Sequence, residues 1–204
     1  MSAAAFIGVA LAHLLAAISP GPSFVLSIRT AASEGFRAAC GLALGFGIGA
    51  ALWAFAALAG LALLFELLPP LFLGLKLAGG LFLVWLGIGM WRHAPDPLPR
   101  VAPGAAPRHT LSAIRLGLAT QLANPKPAIF FGAVFVGLVP VAADAADRAL
   151  ILVNILWVET LWYVLVARVF SLARARDAYG RAKTWTDRGM GAILGALGLK
   201  VALD

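Results

Sequence analysis

Long apolar runs alternate with short polar breaks along the whole chain. A bilayer core of about 30 Å takes roughly 20 residues of helix. Six runs come close to that length or exceed it: Ala4–Ile28, Ala39–Phe65, Leu71–Trp91, Leu111–Pro140, Leu150–Ser171 and Arg188–Leu203. The pattern predicts an all-α integral membrane protein with six transmembrane helices. The short turn Leu67–Pro70 separates spans two and three, and a proline-rich polar stretch, Arg92–Thr110, separates spans three and four. The first run has no basic start and continues past Ser19, so it reads as a retained helix and not as a cleaved leader.

Two of the runs are broken from within. "SPGPSF" interrupts span one at Ser19–Phe24, and "NPKPAI" interrupts span four at Asn124–Ile129. Each is a small polar residue, a proline, one variable residue and a second proline. Each lies in the first span of a three-span half. "GGLFLVWLGIGM" from Gly79 and "GMGAILGALGL" from Gly189 also correspond loosely. Three is an odd number of crossings, so a second copy of the unit enters the membrane from the opposite side. The expected organisation is one transporter domain over 1–204. It comprises repeat one (1–92), a cytoplasmic loop (93–110) and an inverted repeat two (111–204), with helices one and four broken.

Paired interruptions of this kind point to a transporter's binding site. The ordinary alternative is a pair of unrelated proline kinks. A proline removes a backbone N–H and clashes with the carbonyl one turn back. The freed groups have to line protein or a wet cavity, and a half-helix that restarts after the break offers N–H groups and a positive dipole end to an anion such as a carboxylate. The candidate substrate-binding residues are therefore Pro20, Gly21, Pro22 and Ser23 in the first break, and Asn124, Pro125, Lys126 and Pro127 in the second.

Charge sets the orientation. Arg29 and Arg37 follow span one; Arg92, Arg100, Arg108 and Arg115 surround the loop after span three; Arg174, Arg176, Arg181, Lys183 and Arg188 follow span five. The loop after span two has no basic residue, and Arg148 after span four is offset by Asp144 and Asp147. The positive-inside rule places loops one, three and five in the cytoplasm and both termini outside.

Composition agrees. The chain is 62% hydrophobic and 12% charged, against roughly 25% charged residues in a soluble domain. The net charge of +7 comes from residues at the ends of apolar segments, so no nucleic-acid face is expected. The single cysteine, Cys40, excludes a dithiol relay. The histidines His13, His93 and His109 are scattered, without a zinc motif or a serine–histidine site, so neither an enzyme nor a metal or other cofactor is expected.

Intramembrane charge is costly and marks function. Glu159 lies deep in span five, where it is a candidate for holding a substrate ammonium or carrying a coupling proton; the alternative is a structural partner for Lys126. His13, about two turns before the first break, is a second proton-coupling candidate. Gln121 and Asn124 are placed to bond a polar substrate or the freed backbone. Lys76 and Glu66 read as interfacial. Gly41, Gly45 and Gly49 form a smooth face for close helix packing. Trp53, Trp85 and Trp157 are expected to pack in the core, Trp91 and Trp185 to anchor at the interface. Phe24, Phe130 and Phe131 suggest a small apolar lining.

The text "SPGPSFVLSIRTAASEGFRAACGLALGFGIGAALW", with "LKLAGGLFLVWLGIGMWR" and "GLATQLANPKPAIFF", resembles the LysE/RhtB family of bacterial amino-acid exporters over nearly the whole chain. The resemblance implies a six-span inner-membrane protein that exports an amino acid or close derivative, driven by the proton gradient. One departure is Ser23, where many members carry an acidic or amide residue after P-G-P. A channel, or an exporter for a different small polar solute, is the other reading. The expected partners are the amino acid and the bilayer; a homodimer is left open.

Overall fold

The computed structural model describes the chain apart from residues 20, 68, 97–107, 141 and 204, and apart from the side chains of 61–73, 75, 76, 79, 82, 86, 125, 128, 133, 134, 136, 137, 175, 176, 194 and 201. Among the described residues all regular structure is helical. Lys76, Glu66 and Pro20 thus fall outside what is described, at least in their side chains.

Span one is two helices, α1 (Ala3–Ile18) and α2 (Pro22–Ser33), whose axes bend by 62° across the break. The side chain of Ser2 caps α1. Gly35, at φ 89°, closes the turn into α3 (Phe36–Leu67); a left-handed residue after a helix end favours glycine. α4 covers Pro69–His93. Span four is α5 (Thr110–Ala123), a five-residue α6 (Pro125–Ile129), a π-helical turn (Phe130–Val134) and a short α7 (Phe135–Leu138). The π turn lies directly after Pro125 and Pro127, which withhold two N–H groups from the helical ladder. α8 (Ala145–Phe170) starts at an Asp144 cap, and α9 runs over Ala173–Leu203.

Among the described residues, two helices are long and apolar enough to cross a membrane, α3 over Phe36–Gly60 and α8; the bent α1–α2 pair makes a third. Polarity is distributed as lipid would demand. Trp85 is 65% exposed and Trp157 54%, so neither takes the core role expected of it. His13, Ser19, Ser23, Ser27, Gln121, Asn124 and Glu159 are buried.

The basic stretch after span five is helical, not a loop, because α9 already begins at Ala173. Its alanines, arginines and lysine favour helix. Lys183 pairs with Asp187 one turn on at 2.8 Å and donates to the carbonyls of His93 and Ala94, both at 3.1 Å. Burial, then the adjacent Asp187 carboxylate, push the Tyr179 hydroxyl well above its ordinary range, so it remains a donor to Asp187 at 3.0 Å. Loops expected on one side are in contact: Arg108 reaches Glu34 at 3.0 Å, and Lys183 reaches the end of α4. On the other side the Met1 amine pairs with Asp147 at 2.5 Å.

Glycines set the close packing. A Cβ on Gly45 would lie 2.2 Å from the Ile114 carbonyl, and one on Gly49 would lie 2.7 Å from Gln121 Cβ, so α5 lies along the expected glycine face of α3. Gly47, on another face, admits Thr160 and Leu156 of α8. α4 and α9 cross through reciprocal contacts, Gly80 with Gly198 and Gly87 with Gly191. We expect Gly45→Ala and Gly87→Ala to lower thermal stability in detergent, because overpacking costs about 1–3 kcal/mol and outweighs the roughly 1 kcal/mol that alanine gains in a helix. Gly60→Ala, whose Cβ would meet nothing within 4 Å among the described residues, should leave the melting temperature unchanged or raise it.

Candidate functional site

The two breaks meet in the interior. His13, Ala16 and Ala17 of α1, Ser23 of α2, Gln121 of α5, Asn124, Lys126 and Pro127 at the second break, Phe130 and Phe131 of the π turn, and Glu159 and Tyr163 of α8 line one cavity. Its free space is about 20 Å³, room for about one water molecule.

A directed hydrogen-bond chain runs through it. Asn124 Nδ2 donates to Ser23 Oγ at 3.3 Å, Ser23 Oγ to Gln121 Oε1 at 2.7 Å, and Gln121 Nε2 to Glu159 Oε1 at 2.7 Å. Glu159 Oε2 faces His13 Nε2 at 3.0 Å, with both side chains at most 5% exposed. An ionised carboxylate only accepts, so the donors converge on Glu159 from both sides. The glycines of α3 make this possible: Gly49 brings Gln121 inward, Gly47 brings α8 close beside Glu159, and Trp53 Nε1 holds the Gln121 carbonyl at 3.3 Å.

Lys126 has a different set of partners from the one its sequence position suggested. Its Nζ donates to the carbonyls of Ala16 (2.8 Å) and Ser19 (2.7 Å) and to Ser19 Oγ (2.8 Å). An ammonium has three donors, and all three are occupied at the carbonyl end of α1, the pole that favours a cation. Glu159 is therefore paired with His13 and Gln121, not with Lys126. A Cβ on Gly21 would lie 3.6 Å from Lys126 Nζ, so the variable residues of the two breaks touch.

The two restarting half-helices also differ. Asn124 Oδ1 caps α6 by accepting from Lys126 N at 3.0 Å, whereas α2 begins at Gly21 without a side-chain cap. Pro22 opens α2 and is exposed; Pro125 opens α6; Pro127 is buried in the cavity wall. Phe24 lies elsewhere than expected. It stacks edge-on with Phe170 and Tyr179 in a second, largely apolar cavity of about 170 Å³, which also touches Ile18 and Asp187.

The chain matches the LysE type translocator family over residues 14–204. It belongs to that family. It is 36% identical to the threonine efflux protein of Escherichia coli K12 over 206 residues, covering 98% of both chains. It is 35% identical to the threonine efflux protein of Salmonella typhi over 203 residues, again 98% of both. It is 31% identical to the chemotactic transduction protein ChpE of Pseudomonas aeruginosa, covering 89% of this chain and 90% of that one. No solved structure matches. As a LysE type translocator the chain is a membrane protein and a transporter, not an enzyme.

Sequence reading overlooked Tyr163 of this translocator's cavity, although it lies four residues after Glu159 on the same helix face, a spacing that marks it. Ser19 and Trp53 support the cavity from outside its lining, Ser19 by accepting from Lys126 and Trp53 by donating to the Gln121 carbonyl. We expect Lys126→Met to destabilise the translocator by roughly 1–3 kcal/mol for each buried acceptor left without a donor. Thermal unfolding in detergent measures this directly, and an unchanged midpoint would remove Lys126 from the support of the break.

Proposed function

We propose that the chain is a secondary exporter of an amino acid, threonine or a close derivative, across the bacterial inner membrane, coupled to protons and working by alternating access. The observation that carries this reading is the meeting of Ser23, Gln121, Asn124, Lys126, Glu159 and His13 in one buried polar cavity, where each half of the chain contributes a broken helix.

The cavity has the poles an amino acid needs. Glu159 suits an ammonium. The uncapped start of α2, with Gly21 against the Lys126 ammonium, suits a carboxylate. Pro22 and Pro125 open the restarting half-helices, Pro127 lines the cavity, and Asn124 and Ser23 offer hydrogen bonds. At about 20 Å³ of free space the cavity is too small for an amino acid, so a solute enters only when the surrounding elements move apart. The larger cavity beside Phe24 and Tyr179 lies next to the basic end of α9.

A six-span inverted repeat in one domain accounts for several contacts. Shifting Gly80 and Gly87 by 111 residues gives Gly191 and Gly198, and the contacts 80–198 and 87–191 then exchange with each other. Any antiparallel helix pair shows that reciprocity, and it is compatible with a pseudo-two-fold axis in the membrane plane. The Glu34–Arg108 and Lys183–Ala94 contacts gather the basic loops on one face, and Met1–Asp147 joins the opposite one. This supports cytoplasmic loops one, three and five with outward termini.

The test is uptake of labelled L-threonine and a panel of other amino acids by inside-out vesicles with an imposed acid interior. Accumulation beyond equilibrium, abolished by Glu159→Gln in a normally inserted protein, is the expected result. Flux that only equilibrates would indicate a channel, and no flux of any amino acid would refute the assignment.

A further inference from the structure

Glu159 is held differently at its two oxygens. Oε1 is bound by Gln121 Nε2, and Gln121 is itself fixed by Ser23 and by Trp53 on its carbonyl. That attachment belongs to a network and is hard to withdraw. Among the described residues, Oε2 is bound by His13 alone. The other ring nitrogen of His13, Nδ1, is buried without a hydrogen-bond partner among the described residues. The imidazole therefore has a single polar anchor. The rest of it rests against Phe130 and Phe131, at centroid distances of 6.1 and 5.6 Å.

With Nε2 donating to Glu159, the labile proton of His13 is the one on Nδ1. When Nδ1 is protonated, an imidazolium faces a carboxylate in a low-dielectric interior, and their hydrogen bond is charge-assisted. When that proton leaves, a neutral imidazole remains and its hold on Oε2 loses the charge-assisted part, so an ammonium, which keeps its charge, competes better for that oxygen. The free space of about 20 Å³ leaves no room for an ammonium group to approach Oε2 while His13 occupies it. Occupancy of Oε2 is exclusive.

Resting on the exporter reading, we infer that protonated His13 and the substrate's ammonium take turns on Glu159 Oε2, so that His13 carries the coupling proton. On the cytoplasmic side the proton leaves Nδ1, His13 retracts, and the ammonium takes Oε2. On the acidic outer side Nδ1 is reprotonated, the imidazolium reclaims Oε2, and the amino acid is expelled. A zwitterion has no net charge, so each cycle carries the positive charge of the returning proton inward, and an inside-negative membrane potential drives export as well as the pH gradient. The titratable side chains facing His13 in the cavity are Glu159 and Tyr163 of α8 and Lys126 of α6. α2 and α5 present the neutral Ser23, Gln121 and Asn124, and the residues of α7 and α9 packed against the same core are the apolar Leu138, Met190 and Leu197. Lys126 is committed to the end of α1, which leaves His13 as the cation free to exchange.

The experiment measures protons released when L-threonine binds the purified full-length protein in weakly buffered detergent solution with a pH-indicator dye, with binding followed in parallel by labelled ligand. The wild-type protein is expected to release a proton on binding, and its affinity for L-threonine should weaken as the pH falls. His13→Gln keeps an amide donor for Glu159 and should bind with no proton release and no pH dependence. Its folding is checked by its elution profile; if it does not fold, the pH dependence of wild-type binding decides. Binding by the wild-type protein without proton release, or equal release from His13→Gln, would overturn the inference while leaving an amino-acid exporter in place. Failure of the wild-type protein to bind or transport L-threonine or any other amino acid of the panel would overturn the exporter reading and this inference with it.

Discussion

A helix that stops inside a membrane leaves carbonyls and N–H groups that lipid cannot satisfy. The architecture of this translocator follows from meeting that demand twice with one set of residues. The first break exposes the carbonyl end of α1, and the lysine of the second break fills it with all three of its donors. The second break restarts at α6, and its own Asn124 caps it. What remains is the uncapped start of α2, beside a buried carboxylate and a line of amide and hydroxyl groups. Satisfying most of the freed backbone leaves one helix end open, and on the proposed reading that end is part of the binding site.

That arrangement depends on how closely α5 and α8 approach α3. Side chains larger than hydrogen at Gly45, Gly47 and Gly49 would meet backbone or side-chain atoms within 3 Å. α3 therefore works as a ruler with two bare edges. One edge fixes the height of Gln121 and the other that of Glu159, and the 2.7 Å hydrogen bond between them is the outcome. α4 and α9 form a separate glycine-mediated pair, attached to the rest largely through the π turn beside Phe130 and Phe131. A part that moves against the α3–α5–α8 body would act on the same phenylalanines that flank His13.

Polarity runs opposite to that of a soluble protein. Tryptophans and leucines face outward, while serines, amides, a histidine and a glutamate are inside. Each interior polar group costs free energy unless it is hydrogen-bonded, and most of those at the breaks are bonded to one another. The few that are not, His13 Nδ1 among them, are where a solute or a proton has something to gain.

Much of this was written into the sequence. Apolar runs of membrane length, the paired prolines, the isolated Glu159 and the four-residue glycine spacing are local features, because periodicity and the chemistry of proline and glycine act over a few residues. They announced the helices, both interruptions and the close face of α3. The partners of the charged groups were not legible. Lys126 and Glu159 looked equally suited to each other, yet Lys126 went to α1 and Glu159 to His13 and Gln121. Which acceptor a buried donor reaches is settled by helix register and crossing, set by contacts between residues a hundred positions apart. The same holds for Phe24, which lies in the second cavity, for Trp85 and Trp157, which face outward, and for the helical start of α9, which its hydrogen bonds to α4 stabilise. The sequence determined where the chain had to break; the tertiary structure decided what each break would hold.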